Sequence, residues 1–209
     1  MRKEILIMTK SAKINGFCVA GIDINDGNWT RLVSGDEDGE GAVPREDLTY
    51  NDGTQAEIFD VVAVEGMRAA TNAQSENYLY DNNFYWERIR TVSPVEAFGY
   101  CPISNTPFIF SNNERSLNDY EITGESLMMV DIDHIVVNVV CEYDKKKWKV
   151  NFEYNGLQYN NISIGDISIR SRFPDYGTYP IEGSHKAVFS LTGKYEITGK
   201  YYKMLAQLF

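Results

Sequence analysis

The chain reads as short apolar runs broken by turn residues. Glu4–Thr9 is rich in Ile, Leu and Met, and Phe17–Asp23 is apolar behind Gly16. Asn25-Asp26-Gly27 then marks a tight turn, because Gly and Asn tolerate the positive φ such a turn needs. Asn28–Ser34 alternates, with Trp29, Arg31 and Val33 on one face and Thr30 and Leu32 on the other. Residues 4–34 therefore predict a three-stranded meander. Ile58–Glu65 predicts a fourth strand, and a polar stretch, Ala69–Asn83, follows it. Ser93-Pro94-Val95-Glu96 carries a hydroxyl N-cap, Pro at the first helical position and Glu at the third, which predicts a helix that Gly99 and Pro102 end early.

The pattern then starts again. Residues 99–124 read as a linker with an apolar excursion at Phe108-Ile109-Phe110. Leu127–Val130, Ile135–Tyr143 and Lys147–Tyr154 predict strands, with Asp144-Lys145-Lys146 joining the last two. Asn155-Gly156 predicts a type I′ hairpin back into Leu157–Asn160. An irregular region, 161–186, precedes strands at Ala187–Thr192 and Tyr201–Phe209. Each half holds a meander, an irregular connection and closing strands. The expected fold is all-β with minor α: two tandem, small, OB-like Greek-key barrels, with one short helix between or capping them. The expected boundaries are a first barrel at 1–100, a linker at 101–125 and a second barrel at 126–209.

Composition agrees with a packed chain. At 209 residues and 43% hydrophobic, it has the length and apolar content for one large or two small cores. No apolar run reaches the roughly 18–20 residues of a membrane helix, and the N-terminal apolar segment is too short for a secretory signal. Cys18, Cys101 and Cys141 form no paired framework and no CxxC motif, so a cytoplasmic setting is expected.

Charge changes the picture by its placement. The net charge is −10, yet residues 36–60 alone hold nine acids (Asp36, Glu37, Asp38, Glu40, Glu46, Asp47, Asp52, Glu57 and Asp60) against Arg45, a sum of −8. Residues 134–209 carry 10 bases and 7 acids, a sum of +3. The acidic stretch reads as a solvated loop. Its Asp36-Glu37-Asp38-Gly39-Glu40-Gly41 run lacks the ligand spacing of a calcium loop. Acidity concentrated in one loop leaves the rest of the surface open to nucleic acid.

Several stretches resemble one family. Thr9-Lys10-Ser11-Ala12-Lys13-Ile14-Asn15-Gly16-Phe17-Cys18-Val19-Ala20-Gly21-Ile22-Asp23 and Gly27-Asn28-Trp29-Thr30-Arg31-Leu32-Val33 are similar to the opening of the dual OB-containing domain family. Gln74-Ser75-Glu76-Asn77, Ser126-Leu127-Met128-Met129, Phe152-Glu153-Tyr154-Asn155-Gly156-Leu157-Gln158-Tyr159 and Tyr202-Lys203-Met204-Leu205-Ala206 continue the likeness in order. Where the family tends to Thr-Asp-Pro, this chain has Gly165-Asp166-Ile167, with Asp166 the matching position. The resemblance implies two OB barrels in tandem, a bacterial source and a nucleic-acid or nucleotide role.

OB barrels hold single strands with cations for phosphates and aromatic rings for bases. Two places in the sequence offer that mix. One is Lys10, Ser11, Lys13, Trp29 and Arg31, where an indole and a guanidinium share a strand face. The plainer alternative pairs Arg31 with Asp23 or Asp26. The other is the Lys145-Lys146-Lys147-Trp148-Lys149 run, with Lys147 and Lys149 on one face, and Arg170 and Arg172 as additions. Gln74, Glu76 and Asn77 supply groups that read a base edge or close a loop. No phosphate-loop, nucleophile-elbow, HExxH or dinucleotide motif occurs. Two histidines do not make a His-rich metal site, and Cys18 reads as a buried structural thiol.

The expected function is a non-enzymatic tandem OB module without cofactor or metal. Its expected partner is a single-stranded nucleic acid or a nucleotide. The alternative is a protein-interaction module using the acidic loop and the Tyr-rich surface.

Overall fold

The computed structural model describes residues 1–35 and 41–209. They fold as two compact units, Met1–Pro102 and Ile103–Phe209.

The first unit contains β1 (Arg2–Lys13), β2 (Gly16–Asp23), β3 (Trp29–Val33), β4 (Asp60–Arg68), β5 (Asn77–Tyr80), β6 (Glu87–Thr91) and α1 (Pro94–Tyr100). Its sheet runs β1-β2-β3-β5-β4, and β4 returns to pair with β1, so five strands close a barrel. The β3–β5 pairing is parallel and the others antiparallel. β1 serves both neighbours because it is long: Arg2–Leu6 pair with β4, and Ile5–Lys13 pair with β2 across a register shift between Ile7 and Thr9. Gly21 is required where these strands meet, since a Cβ there would lie 1.9 Å from Leu6 O. The interior is filled by Ile5, Ile7, Val19, Leu32, Val62, Val64, Tyr78, Tyr80 and Trp86.

The acidic stretch departs from the expected solvated loop. Asp36, Glu37, Asp38 and Glu40 lie outside the described residues. Residues 41–60 fold back onto the barrel, placing Val43, Leu48, Tyr50 and Ala56 in its core. Asp60 is itself buried and accepts from Tyr50 Oη (2.9 Å), Thr91 Oγ1 (2.5 Å) and Glu57 N (3.1 Å). Burial, with the Asp60 carboxylate beside it, pushes the Tyr50 hydroxyl far above its ordinary range, so Tyr50 stays a donor. Asp47 accepts from Tyr80, and Asp52 from Thr54 and Arg88. These acids are spent on internal contacts.

The second unit contains β7 (Ser116–Leu117), β8 (Leu127–Glu142), β9 (Lys145–Tyr154), β10 (Leu157–Ile164), α2 (Ile167–Arg172), β11 (Gly177–Ile181), β12 (His185–Leu191) and β13 (Tyr201–Leu208). The order β10-β9-β8-β12-β13 closes through a parallel β10–β13 pairing. This is the connectivity of the first barrel, with a short helix inserted after the third strand. The two strands expected at 127–130 and 135–143 are one strand, β8. It is interrupted by a register shift between Asp133 and Val136, where His134 adopts φ 51°. The Asn155-Gly156 turn has φ 52° and 73°, as a type I′ hairpin requires.

Residues 103–125, expected as a linker, pack with the second unit. Ile109 is fully buried in its core and donates its N–H to Tyr159 Oη (3.0 Å), while Ser104 N bonds Met129 O (2.8 Å). The Phe108–Phe110 excursion had marked this burial. Among the described residues there are two short α-helices rather than one, besides a single 3₁₀ turn at Asp119–Glu121. α1 has the expected cap, Glu96 N to Ser93 Oγ at 3.2 Å, but the Glu96 carboxylate turns to Arg90. α2 is capped by Asp166, whose Oδ1 accepts from Ser168 N and Ile169 N and whose Oδ2 accepts from Leu208 N and Gln207 Nε2. The matching Asp of the family pattern is thus a structural clasp between α2 and β13.

Candidate nucleic-acid interface

Alternation fixes the outer face of the first barrel. Val19 and Leu32 are cross-strand partners in the core, so Cys18 and Ala20 on β2 and Trp29, Arg31 and Val33 on β3 belong to the opposite face. Parallel pairing sets Asn77 beside Arg31, and the 69–76 connection ends there with Arg31 N bonded to Glu76 O (3.0 Å). The β1–β2 turn brings Lys13 to the same place. The result is a cavity of about 180 Å³ lined by Lys13, Cys18, Arg31, Ser34, Gln74 and Asn77, among others. It lies where the second and third strands meet the loops between strands one and two and between strands four and five. OB barrels take oligonucleotides in that location.

Inside the cleft, Arg31 is almost fully buried. Its Nη2 lies 3.4 Å from Glu76 Oε1, and its Nη1 donates to Cys18 Sγ at 3.4 Å. The pair holds the guanidinium in place between a carboxylate and a thiol; Asp23 instead binds Lys3 (2.8 Å). Asn77 Nδ2 donates to Gln74 Oε1 (3.1 Å). Asn77 is 8% exposed, yet its Oδ1 accepts no hydrogen bond from the described residues. A buried acceptor left open is costly unless something donates to it.

Of the residues expected in the first barrel, Lys13, Arg31, Gln74 and Asn77 line the cleft, and Glu76 orients Arg31. Lys10 and Ser11 do not line it. Lys10 is held by Ala56 O (3.0 Å) and Glu57, and Ser11 is buried. Trp29 is half-buried on the face of Arg31, outside the cavity lining. Cys18 was read as a buried structural thiol; it is half-exposed and lines the cleft. The signal for it was in the alternation, because Val19 faces the core and Cys18 cannot.

The lysine hairpin lies in the second unit. Lys145, Lys146 and Lys147 are exposed at the start of β9. Lys146 Nζ sits 4.8 Å from the Tyr176 ring centroid and donates to Pro174 O. Trp148 donates Nε1–H to Phe173 O (2.8 Å), with the Arg170 guanidinium 5.6 Å from its ring. Lys149 turns inward and is buried, with Ser163 (3.2 Å) and Glu142 (3.4 Å) as partners. Three lysines of the run, not four, are thus presented to solvent.

The first unit has larger concavities elsewhere. Cavities of about 670 and 520 Å³ flank the exposed Phe84 and Tyr85. Among the described residues, no group of three His, Cys, Asp or Glu is placed to hold a metal ion, and no helix is long and apolar enough to cross a membrane.

The model of the dual OB-containing domain matches residues 3–208. The chain belongs to the dual OB-containing domain family. That membership accounts for the two barrels and their shared strand order. No curated protein and no solved structure matches the chain.

Proposed function

We propose that this dual OB protein binds single-stranded nucleic acid through the cleft of its first barrel. The observation that supports the reading is convergence. Residues from 13 to 77 of the chain bring two cations and two amides to one cavity on the OB ligand face. Its volume, about 180 Å³, lies below the range of drug-sized pockets and suits a single base or nucleotide rather than a dinucleotide cofactor. Arg31, fixed by Glu76, and Lys13, at the rim, attract phosphate. Gln74 and Asn77 offer amide groups to a base edge. Lys145–Lys147 on the second barrel add sequence-independent attraction.

The test is fluorescence anisotropy with labelled single strands of about 16 nucleotides, the upper site size for one OB barrel. Affinity is expected to fall steeply between ~50 and ~200 mM salt. Lys13→Ala, in the cleft lining, is expected to weaken binding several-fold, whereas Lys10→Ala, outside that lining, leaves it unchanged. Absence of binding at low salt defeats the reading. A protein-interaction role is the second reading, favoured by the exposed Phe84 and Tyr85 between two concavities. Under it, Phe84→Ser/Tyr85→Ser abolishes partner capture that survives nuclease treatment.

A further inference from the structure

We propose that the Phe84–Tyr85 loop of the first unit is a docking site for a basic segment of a partner protein, one that sets a Lys or Arg beside apolar side chains. This rests on the protein-interaction reading, to which it gives a partner chemistry, and it does not depend on the nucleic-acid reading of the cleft. The first observation is topological. β5 and β6 pair with successive parts of one edge of β4, while β1 takes the other edge. Tyr80 lies opposite Gly66 and Glu87 opposite Ala63, so two residues of β4, Val64 and Glu65, face six residues, 81–86. Four residues more than the ladder needs are looped out. The loop is anchored at both ends. Asp81 N donates to Glu65 O (2.9 Å), and Asp81 Oδ1 accepts from Asn83 N (3.0 Å) and Nδ2 (2.7 Å). Trp86 returns to the core, edge-on to Tyr80 at 5.5 Å. Between these anchors Phe84 and Tyr85 are 57% and 68% exposed. Two large rings held out on a fixed turn leave much apolar surface in water, and their ordering is complete before any partner arrives, as a binding anchor requires.

The second observation is charge. The rings stand between the cavities of about 670 and 520 Å³, and the exposed Met67 extends the apolar wall of the larger. Four carboxylates line the two, Glu65, Asp81 and Glu87 in the larger and Asp52 with Glu87 in the smaller. Arg2, Arg88 and the Met1 amino group face Glu87, Asp52 and Glu65 in exposed pairs. Such pairs contribute little, so a partner's cation can take them over. Among the described residues, Asp81 is bonded by Asn83 and by no cation. Residues 1–102 carry 17 acids and nine bases, a sum of −8. That field draws a cation and repels nucleic acid and anionic lipid. A Lys or Arg of the partner lies over the Phe84 or Tyr85 ring with the Asp81 carboxylate beside it, and the apolar side chains flanking that cation fill the two cavities.

The test is selection from a random peptide library displayed on phage against the immobilised full chain. Recovered sequences, synthesised with a fluorescent label, are measured by anisotropy against wild type and two variants. Expected are sequences in which Lys or Arg adjoins Leu, Ile, Phe or Trp. Phe84→Ser/Tyr85→Ser, which leaves the charge of the chain unchanged, is expected to weaken them about tenfold or more. Asp81→Asn, whose Oδ1 still accepts from Asn83, is expected to weaken them about two- to fivefold. Amide NMR spectra that match wild type away from the loop show that both variants keep the fold. Recovery of no peptide overturns the proposal, as does recovery of basic sequences that bind Phe84→Ser/Tyr85→Ser as tightly as wild type. Acidic or uncharged sequences that are lost on that variant also overturn it, and leave the protein-interaction reading standing. A labelled single strand that binds Phe84→Ser/Tyr85→Ser more weakly than wild type overturns it too, because the ridge then belongs to nucleic acid. Strand binding at the cleft is read separately, by Lys13→Ala.

Discussion

Lys203 offers a quantitative test of the second barrel. It lies on β13, 2% exposed, with its ammonium 5.2 Å from the Tyr159 ring and donating to Asn112 O and, at 2.9 Å, to Asn112 Oδ1. Burial pulls its pKa down to about 7, against the opposing pull of Glu121 and Glu114. The unfolded lysine titrates near 10.4. Between these values the unfolded chain binds more protons than the folded one, so this group makes stability rise with pH. Its burial penalty is full below about pH 7 and is relieved towards pH 10. Integrated from about pH 6.5 to about pH 9, the gain is about 2–3 kcal/mol. Lys203→Met should remove that slope and stabilise the barrel at the acid end. Neither Asn112 acceptor is orphaned by the change, because Tyr159 Oη still donates to Asn112 O (3.4 Å) and Glu114 N to Asn112 Oδ1 (2.9 Å). Urea unfolding followed by Trp148 fluorescence, in a Trp29→Phe/Trp86→Phe background, reports this unit. An unaltered slope in Lys203→Met, or wild-type stability that falls across the window, refutes the reasoning.

Two further changes probe the clasp residues. Arg31→Met removes the guanidinium beside the Glu76 carboxylate, which is 7% exposed, and should cost about 3–5 kcal/mol in chemical denaturation; the double variant Arg31→Met/Glu76→Met should recover most of that. Asp166→Ala removes the α2 cap and the acceptor of Leu208 N and Gln207 Nε2, and should cost about 2–4 kcal/mol, read as a lowered melting temperature.

The parts of the fold legible in the sequence were those written in local chemistry. Asn155-Gly156 and Ser93-Pro94 specify their turn and cap with adjacent residues, and alternation at 28–34 gives the face of Arg31. Strands without an alternating signal were missed. All five residues of β6 are exposed, β11 has one buried residue, and β5 is largely buried on both faces. α2 is six residues long with only Ile169 buried, too short for a helical period to show. The acidic stretch misled because its partners are distant in sequence: Asp60 is satisfied by Tyr50 and Thr91, and Glu57 by Lys10. The same long-range pairing took Lys10 out of the expected site. Arg31, Gln74, Glu76 and Asn77 came together because parallel β3–β5 pairing, which sequence spacing does not reveal, sets the 74–77 segment against β3.

The central claim is that the first barrel's cleft contacts single-stranded nucleic acid. Amide NMR spectra of the ¹⁵N-labelled chain, titrated with an unlabelled single strand at low salt, test it residue by residue. The account predicts that the largest shift changes fall on Lys13, Cys18, Arg31, Gln74 and Asn77 and weaken as salt is raised. Changes centred instead on Phe84 and Tyr85, or none at all, contradict it.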